Sequence, residues 1–192
     1  MLTEQYWSQR YQTGSTPWDL SHPSTPLAAY INQLTDPNLE VLVPGAGSAH
    51  EAAYLWEQGY QNTFVLDWAK EPLRYFQERY PEFPQEHLLQ QDFFQHTGTY
   101  DLILEQTFFC ALMPSMRPAY VKHMHQLLKP NAKLAGLFFQ FPLTEQGPPF
   151  GGSKEEYEQL FRPHFHTHIL ENAYNSEPGR EGKELFFIFN RK

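Results

Sequence analysis

Apolar residues along this chain fall into two alternating spacings. Leu39 to Val43 is a short unbroken run suited to a buried strand; the turn Pro44-Gly-Ala-Gly-Ser48 follows it, and Ala49 to Gln58 then repeats at helical spacing as far as Gly59. Asn62 to Asp67 predicts a second strand, and Glu71 to Tyr80 a helix stopped by Pro81. His87 to Gln91 is a weaker third strand and Tyr100 to Glu105 a fourth. Arg117 to Leu128 reads as a helix ended before Pro130, and Lys133 to Phe141 as a fifth strand rich in Leu and Phe. Strand and helix in regular alternation predict an α/β fold, with parallel strands, right-handed crossovers and helices on both faces of the sheet.

The last third breaks this rhythm. Ser153 to Phe161 predicts a helix with a serine cap, and Phe165 to Glu171 and Leu185 to Asn190 predict two strands. The turn-rich Pro178-Gly-Arg-Glu-Gly182 between those strands points to an antiparallel pair on an otherwise parallel sheet. At the other end, residues 1–37 form an extension: a short aromatic helix from Glu4 to Gln12, a loop from Gly14 to Pro23, and a helix from Pro26 to Leu34 opened by proline. Such an extension can lie over the C-terminal edge of the sheet, where open α/β folds bind ligands. With no internal repeat, a single domain over residues 1–192 is the economical reading.

Composition narrows the partners. Fourteen Lys and Arg against 22 Asp and Glu give a net charge of −8 with no basic stripe, which argues against nucleic acid. The single cysteine, Cys110, cannot form an internal disulfide and reads as a small buried residue. No apolar run approaches the ~20 residues of a bilayer span, and the first residues, Met1 to Trp7, lack the pattern of a leader. The expectation is a cytoplasmic protein without membrane contact, its oligomeric state left open and a monomer compatible with the sequence.

Three places could carry chemistry. Gly45-Ala46-Gly47 lies between a predicted strand and a helix, where bare backbone lets a ligand approach a helix N-terminus; a tight turn alone would also need these glycines. His50 stands where a dinucleotide fingerprint wants a small residue, which disfavours NAD. Asp67 ends the second strand 20 residues after Gly47, the place of an acid that accepts both ribose hydroxyls, or of a solvated strand-end Asp that merely caps the next helix. Asp92-Phe93 follows the third strand, where an Asp can accept from an adenine amine while a Phe packs on the ring; the plain alternative is a loop carboxylate beside a core aromatic. His164, His166 and His168 alternate along a strand, but no Cys or carboxylate cluster completes a metal set, and His123 and His125 do not share a helix face.

The segments Thr16-Pro-Trp-Asp-Leu20, Leu42-Val-Pro-Gly-Ala-Gly47, Gln91-Asp-Phe-Phe94, Tyr100-Asp-Leu-Ile103, Phe108-Phe-Cys-Ala111 and Met116-Arg-Pro-Ala-Tyr120 resemble the thiopurine S-methyltransferase family, nearest its halide and thiol methyltransferase branch. The resemblance runs from about Trp7 to the C-terminal hairpin. It implies a seven-stranded Rossmann-like methyltransferase sheet, S-adenosylmethionine as cofactor, and methyl transfer by in-line displacement to a small soft nucleophile such as a thiol, hydrosulfide or halide. A thiopurine-like heterocycle, a selenium or tellurium species, or cofactor binding without turnover are the alternatives. Residue by residue, it puts Trp7, Tyr11 and Trp18 over the methionine and sulfonium end of the cofactor, Gly45 and Gly47 against the methionine, Asp67 on the ribose, Asp92 and Phe93 at the adenine, and Gln106 at a further cofactor contact. Arg117 matches a position near the acceptor pocket, where a guanidinium would orient an anion; a surface Arg paired with a nearby carboxylate is the other reading. The chain departs from the family with Tyr11 where Trp is common, Ala46 for Cys, Ser48 and Ala49 where the loop is often richer in Gly, and Gln106 where Tyr is frequent. Aromatic faces would attract a sulfonium by about 0.5 to 2 kcal/mol, although Trp7, Tyr11 and Trp18 could equally be a stripe that anchors a helix.

Overall fold

The computed structural model describes residues 2–192; Met1, the first residue of the predicted extension, lies outside them. Two helices open the chain, α1 (Glu4–Gln12) and α2 (Thr25–Ile31). The alternating body follows as β1 (Val41–Pro44), α3 (His50–Glu57), β2 (Thr63–Asp67), α4 (Lys70–Arg79), β3 (Leu88–Gln90), β4 (Tyr100–Gln106), α5 (Arg117–Leu127) and β5 (Leu128–Phe139). The chain closes with α6 (Lys154–Phe161), β6 (Phe165–Asn172) and β7 (Glu184–Arg191).

One seven-stranded sheet takes the order β3-β2-β1-β4-β5-β7-β6. Strands β3, β2, β1, β4 and β5 are mutually parallel, and β7 pairs antiparallel with both β5 and β6. The chain reverses direction along the sheet after β3, returning to the other side of β1. That is the switch point at which ligands bind over the carboxyl ends of the strands.

Side-chain alternation divides the core between the two faces of the sheet. From β4, Leu102 and Leu104 point to the face covered by α2, α3 and α4, where they join Val41, Val43, Ala52, Leu55 and Phe76. Ile103 points to the opposite face, with Tyr120, Met124, Phe138, Phe161 and Phe187 under α5 and α6. Much of the aromatic content lies on this second face, where Phe138 and Phe187 stack at 3.9 Å. Fully burying each such ring contributes roughly 1.5–3 kcal/mol.

Two boundaries differ from the sequence pattern by three residues or more. The fifth strand begins at Leu128 rather than Lys133, because α5 passes directly into extended backbone at its C-cap and the strand runs on through Pro130. The second helix ends at Ile31, not Leu34. Ser153 caps α6 as expected, accepting from the Glu156 N–H. No helix of the described residues is long and apolar enough to cross a membrane.

Candidate active site

A cavity of about 540 Å³ runs along the carboxyl ends of β1 to β5 and is roofed by α1 and the strap that follows it. Trp7, Tyr11, Trp18, Gly45, Gly47, Asp67, Asp92, Phe93 and Gln106 all line it. Residues 100 positions apart in sequence are thus brought around one space by the strand ends.

The floor over β1 is the turn between β1 and α3. Gly45 and Gly47 both adopt left-handed backbone, with φ of +58° and +53°, a region that glycine enters without strain. At Gly45 an added Cβ would overlap the Phe108 ring, and at Gly47 it would come within 2.8 Å of the Tyr11 hydroxyl. The glycines therefore set the close approach of the turn to the β4 loop on one side and to the roof on the other.

Asp67, at the end of β2, grips this turn. One carboxylate oxygen accepts from the Gly47 N–H and the other from the Ala69 N–H, each at 2.9 Å. One side chain thus ties the glycine turn to the approach to α4 and lines the cavity, while α4 itself, with Ala69 at its N-cap, has no side-chain cap. Burial, only partly offset by these N–H groups, pushes its carboxyl up to about 6. Asp92, after β3, accepts from the Phe94 N–H at 3.0 Å, and Phe93 is buried with its ring edge-on to Phe108 at 5.0 Å.

The roof is aromatic. Trp18 meets Trp7 and Tyr11 edge-to-face at 5.6 and 6.0 Å, and the Arg10 guanidinium lies 5.3 Å from the Trp18 ring. None of the α1 residues is buried, so the aromatic face of this helix is turned to the cavity rather than packed into a core. Burial and the nearby Asp67 charge hold the Tyr11 phenol above its usual range. The strap is tied down at Asp19, whose carboxylate accepts from Ser48 and from His50, the latter at 2.7 Å. The His50 contact and then the Ser48 hydrogen bond hold Asp19 below the usual carboxylate range, against the opposing effect of burial. His50, read from sequence only as an obstacle to a dinucleotide, is the anchor of the strap.

Arg117 stands apart from the other candidates and corrects the expectation for it. It is 2% exposed and absent from the cavity wall. Its guanidinium pairs with Glu156 at 2.7 Å, donates to the carbonyls of Gly151 and Phe150 at 2.7 and 3.4 Å, and sits 4.7 Å from the Phe109 ring. The reason is local: Arg117 opens α5 beneath segment 147–152 and spends its planar fork on carbonyls and a carboxylate there. The guanidinium that does line the cavity at this end is Arg180, from the β6–β7 turn. It donates to the Trp18 carbonyl at 3.1 Å, pairs with Glu184 at 3.3 Å and lies over Phe139 at 5.6 Å. The sequence marked its segment as a turn, and nothing local to it signals that the turn reaches back across β5 to the strap.

Cys110 lines the same end, with Leu112, Met113, Met116, Pro148 and Pro149. Burial and then the Glu105 charge raise its thiol far above the usual range, so it is unreactive as a nucleophile. His166 and His168 sit exposed on β6, an edge strand, and among the described residues no group of three or more His, Cys, Asp or Glu is placed to hold a metal.

The fold recurs in solved structures of S-adenosylmethionine-dependent methyltransferases. Solved structures similar to the chain include the Burkholderia thailandensis 1,6-didemethyltoxoflavin-N1-methyltransferase with bound S-adenosylhomocysteine (TM-score 0.76, 18% identity, covering 98% of this chain and 87% of that one). A TehB-like SAM-dependent methyltransferase from Corynebacterium glutamicum is another (TM-score 0.68, 17% identity, 98% of each chain). The profile of the thiopurine S-methyltransferase family matches residues 2–189, and the chain belongs to that family. Among its relatives are a probable thiol methyltransferase 2 from Arabidopsis thaliana, 32% identical over 82% of this chain and 71% of the relative, and thiocyanate methyltransferase 1 from the same plant, 32% identical over 93% and 81%. A thiopurine S-methyltransferase of Nitrosospira multiformis is 25% identical over 83% of this chain and 81% of its own length.

The residues present fit the cofactor of this class. Two acids stand at successive strand ends beside a left-handed glycine turn, and the Gln106 amide oxygen is buried in the cavity wall with no hydrogen-bond partner. An unpaired buried acceptor costs about 1–3 kcal/mol, which a bound donor group recovers.

Proposed function

We propose that this enzyme methylates a small soft nucleophile, a thiol foremost, with hydrosulfide and halide in the same class. The observation behind this reading is the makeup of the cavity end over β4 to β7: a wall of Cys110, Leu112, Met113, Met116, Pro148 and Pro149, with the Arg180 guanidinium beside it. Such a wall favours a polarizable, weakly hydrated acceptor, and one fixed cation favours its anion. The sulfur acceptors in the names of the relatives agree with this.

When bound, S-adenosylmethionine supplies an electrophilic methyl on a sulfonium. In this reading Asp67 accepts from the ribose, Asp92 and Phe93 hold the adenine, and Gly45 and Gly47 leave their backbone bare to the methionine. Trp7, Tyr11 and Trp18 shield the sulfonium from water, and Gln106 faces the transferring group. Arg180, in place of Arg117, orients the acceptor for in-line attack, so the chain supplies alignment and exclusion of water rather than a base. A thiol with an ordinary pKa near 8.5 already furnishes some thiolate at neutral pH, and a halide has no proton to lose.

The test is a panel of thiols, hydrosulfide, iodide, bromide and a thiopurine, each with methyl-labelled donor. Transfer to thiols ahead of the heterocycle is expected, with S-adenosylmethionine and S-adenosylhomocysteine raising the melting temperature and NAD leaving it unchanged. Donor binding with no transfer to any acceptor would return the protein to a cofactor-binding role, and stabilisation by NAD would overturn the cofactor assignment.

A further inference from the structure

Glu105 is fully buried at the end of β4, yet it does not line the cavity. One carboxylate oxygen accepts from the Phe108 N–H at 2.9 Å; the other accepts from the Phe109 N–H at 2.8 Å and from the Tyr120 hydroxyl at 2.7 Å. Its partners are three neutral donors and no cation. Burying a carboxylate in this way is costly, and a carboxylate retained at such cost has a purpose in the surrounding geometry.

That geometry is the floor of the acceptor end. After β4 the chain turns at Thr107 with φ of +55°, a left-handed conformation that a β-branched residue enters only under strain. The turn then delivers Gln106, Phe108, Cys110 and Leu112 to the cavity wall. Phe108 occupies the space that the missing Cβ of Gly45 leaves open, so the β4 turn and the glycine turn are fitted to each other. The two N–H groups that follow Thr107 both end on Glu105, which is what holds the strained turn closed.

We infer that Glu105 is a positioning residue for methyl transfer: its carboxylate, gathering the N–H groups of Phe108 and Phe109 and the hydroxyl of Tyr120, fixes the floor segment 106–112 on which the acceptor is aligned. This rests on the methyltransferase reading of the cavity. Only the ionised carboxylate accepts from all three donors; a protonated carboxyl has to turn its own O–H onto the Tyr120 oxygen, reversing that bond, and is a weaker acceptor toward the two N–H groups. Burial pushes Glu105 up to about 7, with Tyr120 and the two N–H groups lowering it from there. The other titratable groups facing it are Cys110 in the floor itself and Tyr157 from α6, both raised by burial and neutral near pH 7. The floor is therefore fully formed above pH 7 and loosens below it.

Two readouts on Glu105→Gln test this. In amide hydrogen exchange of the whole protein, Phe108 and Phe109 should lose protection by roughly tenfold or more while β4 and β5 stay protected, since the amide group presents a donor to one of the two N–H groups. With iodide as a proton-free acceptor at saturating S-adenosylmethionine, wild-type kcat should rise with pH through about 7, and the variant should be slower and flat across that range. Tyr120→Phe keeps both N–H bonds, so floor protection should persist above the step in kcat, which moves to higher pH. Unchanged protection at Phe108 and Phe109 in Glu105→Gln, or a loss of protection spread evenly over the sheet, would overturn the proposal. The exchange result stands whether or not any acceptor is turned over, so failure of the acceptor reading is distinguishable from failure of this one.

Discussion

The two ends of the cavity use charge in opposite ways. Over β1 to β3 the acids Asp67 and Asp92 sit in the wall itself, each one held by N–H groups only two to 20 residues away. Over β4 to β7 the buried charges lie underneath: Glu105 and Arg117 organise segments 106–112 and 147–152 without reaching the cavity, and Arg180 enters from a hairpin to complete the wall. The first arrangement suits a ligand that does not vary, since recognition is built into short strand-to-helix turns. The second leaves an apolar face that can be refitted to different acceptors while the charges beneath keep its backbone in place.

The contrast is sharpest at Gly45, where the two ends meet. Gly45→Ala combines left-handed backbone, worth about 1–2 kcal/mol against a residue with a Cβ, with overlap on a packed Phe108 ring, worth about 1–3 kcal/mol more. Donor affinity should fall by roughly thirtyfold or more in titration calorimetry. At Gly47 the added atom meets only the Tyr11 hydroxyl, the far end of a side chain that can move, so Gly47→Ala should cost less. Equal losses would mean that the glycine turn is not fitted to the β4 loop.

Arg117→Ala should act on stability instead. It leaves the carbonyls of Phe150 and Gly151 unpaired, while Glu156, which is 41% exposed, can turn to water. The loss is then about 2–4 kcal/mol in denaturant unfolding, below a fully buried pair, with donor affinity nearly intact. A normal melting temperature with a raised acceptor KM would restore the acceptor-orienting role to Arg117.

Next in size is Asp67→Ala, which should weaken S-adenosylmethionine by about 1.5–3 kcal/mol. Burial places the wild-type carboxyl at about 6, so donor affinity should fall as pH drops through that value, and the variant should lack this step. For folding the sign is reversed. A carboxyl raised from 3.8 to about 6 contributes stability that is full below the unfolded value and is lost as pH rises through the folded one. Donor binding and ligand-free stability should therefore move in opposite directions between pH 5 and 7; parallel movement would mean that Asp67 does not meet the donor.

This division also explains what the sequence made legible. The strands on the β1 to β3 side, the glycine turn and the two acids follow from local spacing, because a strand end and the turn after it are neighbours in the chain. Trp7, Tyr11 and Trp18 were legible through resemblance to a family, and their spacing alone left an anchoring stripe open; the structure turns them to the cavity because α1 has no core beneath it. Arg117 was misplaced because its partners lie 33 to 39 residues away: two carbonyls in a segment with no strand or helix to announce it, and Glu156 on α6. Glu105 gave no signal at all: a single acid at the end of an apolar strand looks like a solvated strand end until the turn above it is seen to fold back.

Arg180 offers the finest test of the comparison, since it lines the cavity at the acceptor end and ties the hairpin to the strap through the Trp18 carbonyl. Arg180→Lys keeps a positive charge near Phe139 but loses the fork that reaches the Trp18 carbonyl and Glu184 at once. If charge alone orients the acceptor, kcat/KM for iodide and for a thiolate should fall by only about threefold to tenfold, on the order of 1 kcal/mol. A neutral thiol should then be affected least, because it gains little from the cation before it ionises. The loosened strap should show separately, as a faster off-rate for S-adenosylmethionine measured by stopped-flow tryptophan fluorescence through Trp7 and Trp18. An off-rate change with equal losses for charged and neutral acceptors would make Arg180 a tie between the strap and the hairpin, and the acceptor end would then hold its substrate by shape and polarizability alone.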